Sequence, residues 1–204
     1  DLPKDVQFAE GEYHSPENVT HRHYKPQRDG ADAAIEEAVE LIANAKKPII
    51  YIGGGCINSG PRACELVTEL VTATGYPATT TIMGLGAFPA SSSQWLGMLG
   101  MHGTYEANLA MHDCDVMVAI GARFDDRVTG RTDAFSPNSK KIHIDIDPSS
   151  INKNITVDVP IIGDVANVVE EMLDKWKARN AKPDGKALDA WWKEIEEWRA
   201  VDCL

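Results

Sequence analysis

Asp115-Val-Met-Val-Ala-Ile120 runs straight into Gly121-Ala-Arg-Phe-Asp-Asp-Arg-Val-Thr-Gly130. The first segment is a short apolar run, the pattern of a strand buried on both faces of a parallel sheet. The charged residues after it then emerge at that strand's carboxyl end, the edge where open α/β sheets bind ligands. Arg123, Asp125, Asp126 and Arg127 stand within five positions. Such a set can neutralise phosphates and accept hydroxyl hydrogen bonds together, which suits a nucleotide-containing cofactor.

The segments on either side repeat the pattern. A helix from Asp32 places Ala34, Ile35, Ala38, Val39 and Ile42 at helical spacing, Pro48 ends it, and Ile49-Ile-Tyr-Ile52 reads as the first strand. Gly53-Gly-Gly55 follows, with Asn58, Gly60 and a helix carrying Ala63, Leu66, Val67, Leu70 and Val71. Consecutive glycines let backbone approach a ligand and present amide donors at a helix amino end. The standard dinucleotide spacing nevertheless fails, because Asn58 occupies the place of its third glycine, and a glycine turn after a strand is also ordinary topology.

Pro77-Ala-Thr-Thr-Thr81 reads as a second strand leading to Gly84-Leu-Gly86, and Gly97 to Gly103 as a glycine-rich bend before a helix near Tyr105 to Met111. Lys141-Ile-His-Ile-Asp-Ile-Asp-Pro148 alternates polar and apolar residues, and Val159-Pro-Ile-Ile162 closes in Gly163-Asp164 before a helix through Val168, Val169, Met172 and Leu173. At least five strand–turn–helix passages imply an α/β fold: a doubly wound, Rossmann-like parallel sheet with helices on both faces.

Residues 8–28 carry His14, His21, His23, Pro16 and Pro26 without apolar periodicity and read as an extended linker; His21-x-His23 has no Cys or carboxylate cluster to complete a metal site. Beyond Pro183, the stripe Leu188, Trp191, Ile195, Trp198, broadened by Trp192, reads as packing, with a partner groove as the alternative. The division is therefore a linker over 1–28, a nucleotide-binding domain over 29–182 and a helical connection over 183–204. The segment from Leu2 to Val6 resembles a strand end, and the chain looks excised from a longer one.

A net charge of −11 argues against a nucleic-acid backbone as partner, and no apolar run approaches the roughly 20 residues of a membrane span. With no signal-peptide pattern at the amino end, a soluble cytoplasmic protein is expected. Cys56, Cys64, Cys114 and Cys203 are widely spaced and read as reduced thiols rather than a disulfide framework or a zinc site. Asp145, Asp147 and Asp164 stand at strand ends, where an acid either accepts ribose hydroxyls or caps the next turn. No nucleophile elbow, zinc helix or phosphate loop is present, and no catalytic residue is assigned within the chain.

Met98-Leu-Gly-Met-His-Gly103, Gly121 to Gly130 and His143-Ile-Asp-Ile-Asp-Pro148 together resemble the middle domain of acetolactate synthase, also called acetohydroxyacid synthase. The resemblance runs from Asp1 to about Trp198. It implies part of a large catalytic subunit that decarboxylates pyruvate and joins the two-carbon unit to a second 2-oxo acid, in branched-chain amino acid biosynthesis. Thiamine diphosphate and Mg2+ would be held by amino- and carboxy-terminal domains of the parent chain, so the fragment would be inactive alone. A homodimer or larger assembly with a regulatory small subunit is implied as well.

In that family the middle domain holds FAD in a structural role. Carried onto this sequence, Gly53, Gly54, Gly55 and Asn58 would follow the ribityl-diphosphate part, with Gly121, Ala122 and Arg123 beside it. Thr81, Ile82 and Met83, with Leu99, Gly100, Met101, His102 and Gly103, would border the flavin; Asp125, Arg127 and Val128 would bind nearby. Asp145, Ile146, Gly163, Asp164 and Val165 would surround the adenosine. Met101, Asp126 and Arg127 match positions lining a substrate channel, where Arg127 is the candidate for a 2-oxo acid carboxylate and an ion pair with Asp125 or Asp126 is the alternative. Glyoxylate carboligase, pyruvate oxidase or a non-catalytic nucleotide-binding module remain alternatives.

Overall fold

The computed structural model describes residues 2–15 and 26–201; His21, His23 and Cys203 lie outside the described residues. Six strands form one sheet: β1 (Pro48–Ile52), β2 (Ala78–Thr80), β3 (Trp95–Met98), β4 (Val116–Ile120), β5 (Lys140–Asp145) and β6 (Val159–Ile162). Every neighbouring pair is parallel, in the order β3-β2-β1-β4-β5-β6. The chain builds outward from β1 to β3, returns across the sheet to β4 and builds outward again, so the connections diverge between β1 and β4. This is the topological switch point at which such sheets form a crevice.

Alternation along each strand sorts side chains between two cores. Ile50 and Ile52 of β1, with Val116, Val118 and Ile120 of β4, face one core, covered by α2 (Asp32–Asn44), α4 (Pro61–Thr74) and α7 (Val165–Ala178). Ile49, Tyr51, Met117 and Ala119 face the other, covered by α5 (Tyr105–Asp113) and α8 (Gly185–Arg199), with the short α6 (Asp126–Thr129) in the loop after β4. Helix ends follow local chemistry. Pro61 opens α4 and Gly75, at φ +72°, closes it, while Thr104, Asp164 and Asp184 cap α5, α7 and α8 by accepting amide hydrogen bonds.

Three elements differ from the sequence reading. Lys4–Phe8 forms a short exposed helix, α1, rather than a strand end. Gly54–Ser59 forms a helix, α3, directly after β1, so the glycine turn is itself helical. The sixth strand, β3, was hidden because Ser91 to Ser93 precede it and Gly97 interrupts it at φ +92°; its register against β2 is irregular for the same reason.

α8 packs on the sheet instead of standing away from it. Trp191 is 1% exposed and its indole N–H donates to Pro48 O at 3.0 Å; Trp192 donates to Gly75 O at 2.9 Å. Lys47 lies over the Trp191 ring and pairs with Glu194. The stripe is thus core packing. Trp191→Phe is expected to lower stability by about 1–3 kcal/mol, seen as a shift of the denaturant midpoint, because Pro48 O loses its donor and the smaller ring leaves part of the indole's space unfilled. No helix among the described residues is long and apolar enough to cross a membrane.

Candidate functional site

All six strands point the same way, so all six carboxyl-terminal turns share one edge. The strand ends are level: Ile52 is opposite Thr80 and Ile120, Ile120 opposite Ile144, and Asp145 opposite Ile162. The ladder continues one residue into the turns through five backbone hydrogen bonds: Leu99 N to Thr80 O, Thr81 N to Ile52 O, Gly53 N to Ile120 O, Gly121 N to Ile144 O and Gly163 N to Asp145 O, all 2.8–3.0 Å. This row joins the turns into one rim that carries most of the site residues named above, with Asn58 out on the exposed side of α3.

Glycines let the turns close on one another. A Cβ on Gly53 would stand 2.1 Å from Gly121 O, and one on Gly55 2.6 Å from Gly121 Cα. Gly121 itself has φ +62°, a conformation glycine adopts without strain. The β1 and β4 turns therefore meet backbone to backbone, directly at the switch point.

Beside them, Met101 N donates to Arg127 O at 3.0 Å, which brings together two of the three proposed channel residues; Asp126 adjoins Arg127. Asn108, inside α5, holds both polar groups of Gly100: its Oδ1 accepts from Gly100 N and its Nδ2 donates to Gly100 O, each at 3.0 Å. Asn154 donates to Phe124 O at 3.0 Å. Sequence reasoning missed both asparagines; a polar residue on the inward side of α5 was the available signal for Asn108.

Charge and exposure divide along the rim. Arg123 pairs with Asp125 at 2.8 Å, both exposed, and a solvated pair of this kind leaves the guanidinium available to another anion. Arg127 is exposed and forms no ion pair among the described residues, so the alternative of a pairing with Asp125 or Asp126 is not made. Ile82, Met83 and Met101 are 68%, 74% and 64% exposed, and Ile57, Leu85 and Ile146 are also exposed. Large apolar side chains left in water beside amide-rich turns form a surface suited to a flat ligand. His102 is exposed in the same turn as Met101, and Gly103 lies against Met98 O.

The acidic end is more constrained. Asp145 is largely buried and its Oδ1 accepts from Asp147 N at 2.9 Å; Asp147 caps the following turn through Ser149. Asp164 Oδ1 accepts from Ser59 Oγ at 2.7 Å and from Ala166 N at 3.0 Å, so it caps α7 and ties α3 to it. Val165 is buried, offering a ligand its backbone only. Gly163 makes room for Val168 and for Arg28–Gly30, and Asn58 lies on the exposed side of α3.

Beneath the rim, the Phe124 ring is buried, although its backbone has φ +55°. It packs against Tyr51, Phe135 and His143, the last edge-on at 5.0 Å. Burial pushes His143 below its ordinary value of 6.5, against the opposing pull of Asp145. An unfolded chain therefore binds a proton near pH 6.5 that the folded one refuses. Stability should fall as pH drops from 7 to about 5.5, with a shallower slope in His143→Phe, measured by denaturant titration at each pH. Burial also pushes the Cys56 thiol up to about 12 and Cys114 up to about 11, so neither is a nucleophile at neutral pH.

Residues 35–172 match the family described as thiamine pyrophosphate enzyme, central domain. Over its whole length the chain is 46% identical to the acetolactate synthase isozyme 3 large subunit of Escherichia coli (strain K12), covering 36% of that protein. It is 44% identical to the acetolactate synthase large subunit of Haemophilus influenzae, again over the whole chain and 35% of that protein. Against the acetolactate synthase of Mycobacterium avium it is 43% identical over 97% of this chain and 31% of the relative. The chain thus spans about a third of the length of these relatives. A parallel sheet with the switch-point order, a glycine-joined rim and this match across most of its residues lead to one conclusion: the chain belongs to the thiamine pyrophosphate enzymes and contains their central domain.

Proposed function

We propose that this chain is the FAD-holding middle part of an acetolactate synthase large subunit, with residues 1–28 as the lead-in, 29–182 as the flavin domain and 183–204 leading to a further domain. One observation carries the reading: glycine-lined turns at the switch point, an arginine-bearing loop and exposed apolar side chains share a single sheet edge. The donor set fits a dinucleotide. The amides and glycine surface of Gly53–Gly55 with Gly121 and Arg123 suit a diphosphate, Thr81–Met83 and Leu99–Gly103 suit a flat ring, and Asp145 with Ile146 suits a ribose and base. Asn58 and Asp164 stand at the margins of this arrangement, one on the outer side of α3 and the other engaged in capping.

FAD when bound would support the structure without gaining or losing electrons, since joining two 2-oxo acids with loss of carbon dioxide involves no net oxidation. Thiamine diphosphate and Mg2+, held elsewhere in the full chain, would supply the decarboxylation chemistry. The residues here would shape the approach: Arg127, exposed beside Met101 and Asp126, would steer the substrate carboxylate through two parallel hydrogen bonds. Two of the relatives named above are named large subunits, which supports association with a regulatory small subunit, and a cytoplasmic location belongs to the same proposal.

The test is acetolactate formation from pyruvate by the full chain supplied with thiamine diphosphate, Mg2+ and FAD. Acetolactate produced only when FAD is present, with the flavin's visible absorbance unchanged during turnover, supports the reading. Bleaching of the flavin by pyruvate would assign an oxidase instead, and no reaction with any 2-oxo acid would leave a binding module.

A further inference from the structure

His143 stands apart from the residues assigned so far. It is 0% exposed, neither ring nitrogen makes a well-formed hydrogen bond among the described residues although the Ala122 backbone lies close to the ring, and its Nε2 lies 3.8 Å from Oδ2 of Asp145, two residues along the same face of β5. A fully buried imidazole without a well-formed bond is costly, and such a group persists where its position serves something else. Its surroundings name what that is. Asp145 Oδ1 is engaged by Asp147 N, which leaves Oδ2 as the oxygen between His143 and the rim. On its other side the ring meets Phe124, the buried anchor of the Arg123–Arg127 loop.

We propose that His143 is a positioning residue for the ligand site: its Nε2–H orients the Asp145 carboxylate toward a ribose hydroxyl. The inference rests on the dinucleotide reading of the rim. A modest side-chain adjustment closes the 3.8 Å gap to a hydrogen bond when a hydroxyl takes one lone pair of Oδ2 and the imidazole another. Neutral His143 can donate from one nitrogen only, so the bond to Asp145 selects the tautomer.

Two variants of the full chain separate the roles. His143→Phe keeps a flat ring against Phe124 and removes the donor; His143→Gln keeps an N–H near the Nε2 position and removes the ring. With FAD as the probe, titrated by fluorescence quenching, His143→Phe should bind about tenfold more weakly, equivalent to ~1.4 kcal/mol, and His143→Gln within about twofold of wild type. In an Asp145→Asn background the phenylalanine substitution should cost nothing further, because the effect passes through that carboxylate. A packing role alone would reverse the order of the two variants and leave their costs additive.

Wild-type affinity in folded His143→Phe, or a tenfold loss in folded His143→Gln, overturns the proposal. If phenylalanine prevents folding, His143→Leu, which also lacks a donor, is held to the same tenfold criterion. Failure of the wild-type chain to take up FAD would overturn the reading of the rim itself, a different outcome from binding that is indifferent to His143.

Discussion

Gly53→Val is expected to abolish the folded state or lower the melting temperature by more than roughly 10 °C, an effect above about 4 kcal/mol. The first atom added at this position would stand 2.1 Å from Gly121 O, 2.5 Å from Gly121 C and 2.6 Å from Ala122 Cα. All three are backbone atoms, so no rotamer change relieves the clash. The turn cannot retreat either, because Gly53 N is bound to Ile120 O at 2.8 Å and Gly55 N to Gly121 O at 3.0 Å. Separating the β1 and β4 turns would break both bonds and open the rim at its centre. Gly185→Ala provides the control: nothing among the described residues lies within 4 Å of an added Cβ, and the position is in the first turn of α8. It should be neutral or stabilising by up to about 1 kcal/mol. Thermal unfolding of the two variants beside wild type checks the contrast, and a well-folded Gly53→Val would show that the two turns do not meet as described.

Arg123→Ala is expected to weaken FAD retention by about tenfold to a hundredfold, as the loss of one or two charge-assisted hydrogen bonds would. Arg123 follows Gly121 and Ala122, which touch the β1 glycines, so its guanidinium starts from the point where the diphosphate is proposed to lie. Its bond to Asp125 is exposed on both sides and exchangeable. Arg131, whose partner is Asp133 and whose side chain is 80% exposed, carries the same charge farther along the chain. Arg131→Ala should leave flavin content unchanged, so a loss specific to Arg123 reports a local contact rather than net charge. Flavin stoichiometry after gel filtration reads both variants, and equal retention in wild type and Arg123→Ala would remove Arg123 from the site.

The parts of this architecture written in short-range patterns were legible in the sequence. β1, β4, β5 and β6 are apolar runs or alternations punctuated by glycine or acid, and α2, α4, α7 and α8 carry clear apolar stripes. Their parallel order placed the turns after β1, β2, β4, β5 and β6 at one edge, as the structure shows. What escaped was set by contacts distant in sequence. β3 contains Gly97 and pairs irregularly with β2, so its strand character comes from the sheet rather than from its own residues. The bond from Asn154 to Phe124 and the meeting of Gly53 with Gly121 depend on tertiary closure, to which periodicity is blind, whereas the grip of Asn108 on Gly100 is local and left only a polar residue on the inward side of α5 as its mark.

Asp164 and Asp147 illustrate a second limit. An acid at a strand's end has two uses with the same sequence signature, and only the observed bonds to Ala166 N and Ser149 N reveal the capping. His143 illustrates a third, since the alternation in β5 places it inside but says nothing of how poorly its ring nitrogens are satisfied there among the described residues.

A crystal structure of the full chain grown with FAD is the decisive measurement. The account predicts flavin density crossing the rim between β1 and β4, with the diphosphate at Gly53–Gly55 and Arg123, the adenosine toward Asp145 and Ile146, and the ring system against Ile82, Met83 and Met101. FAD bound away from this rim, or a rim filled by the chain's own side chains with no flavin taken up, would contradict it.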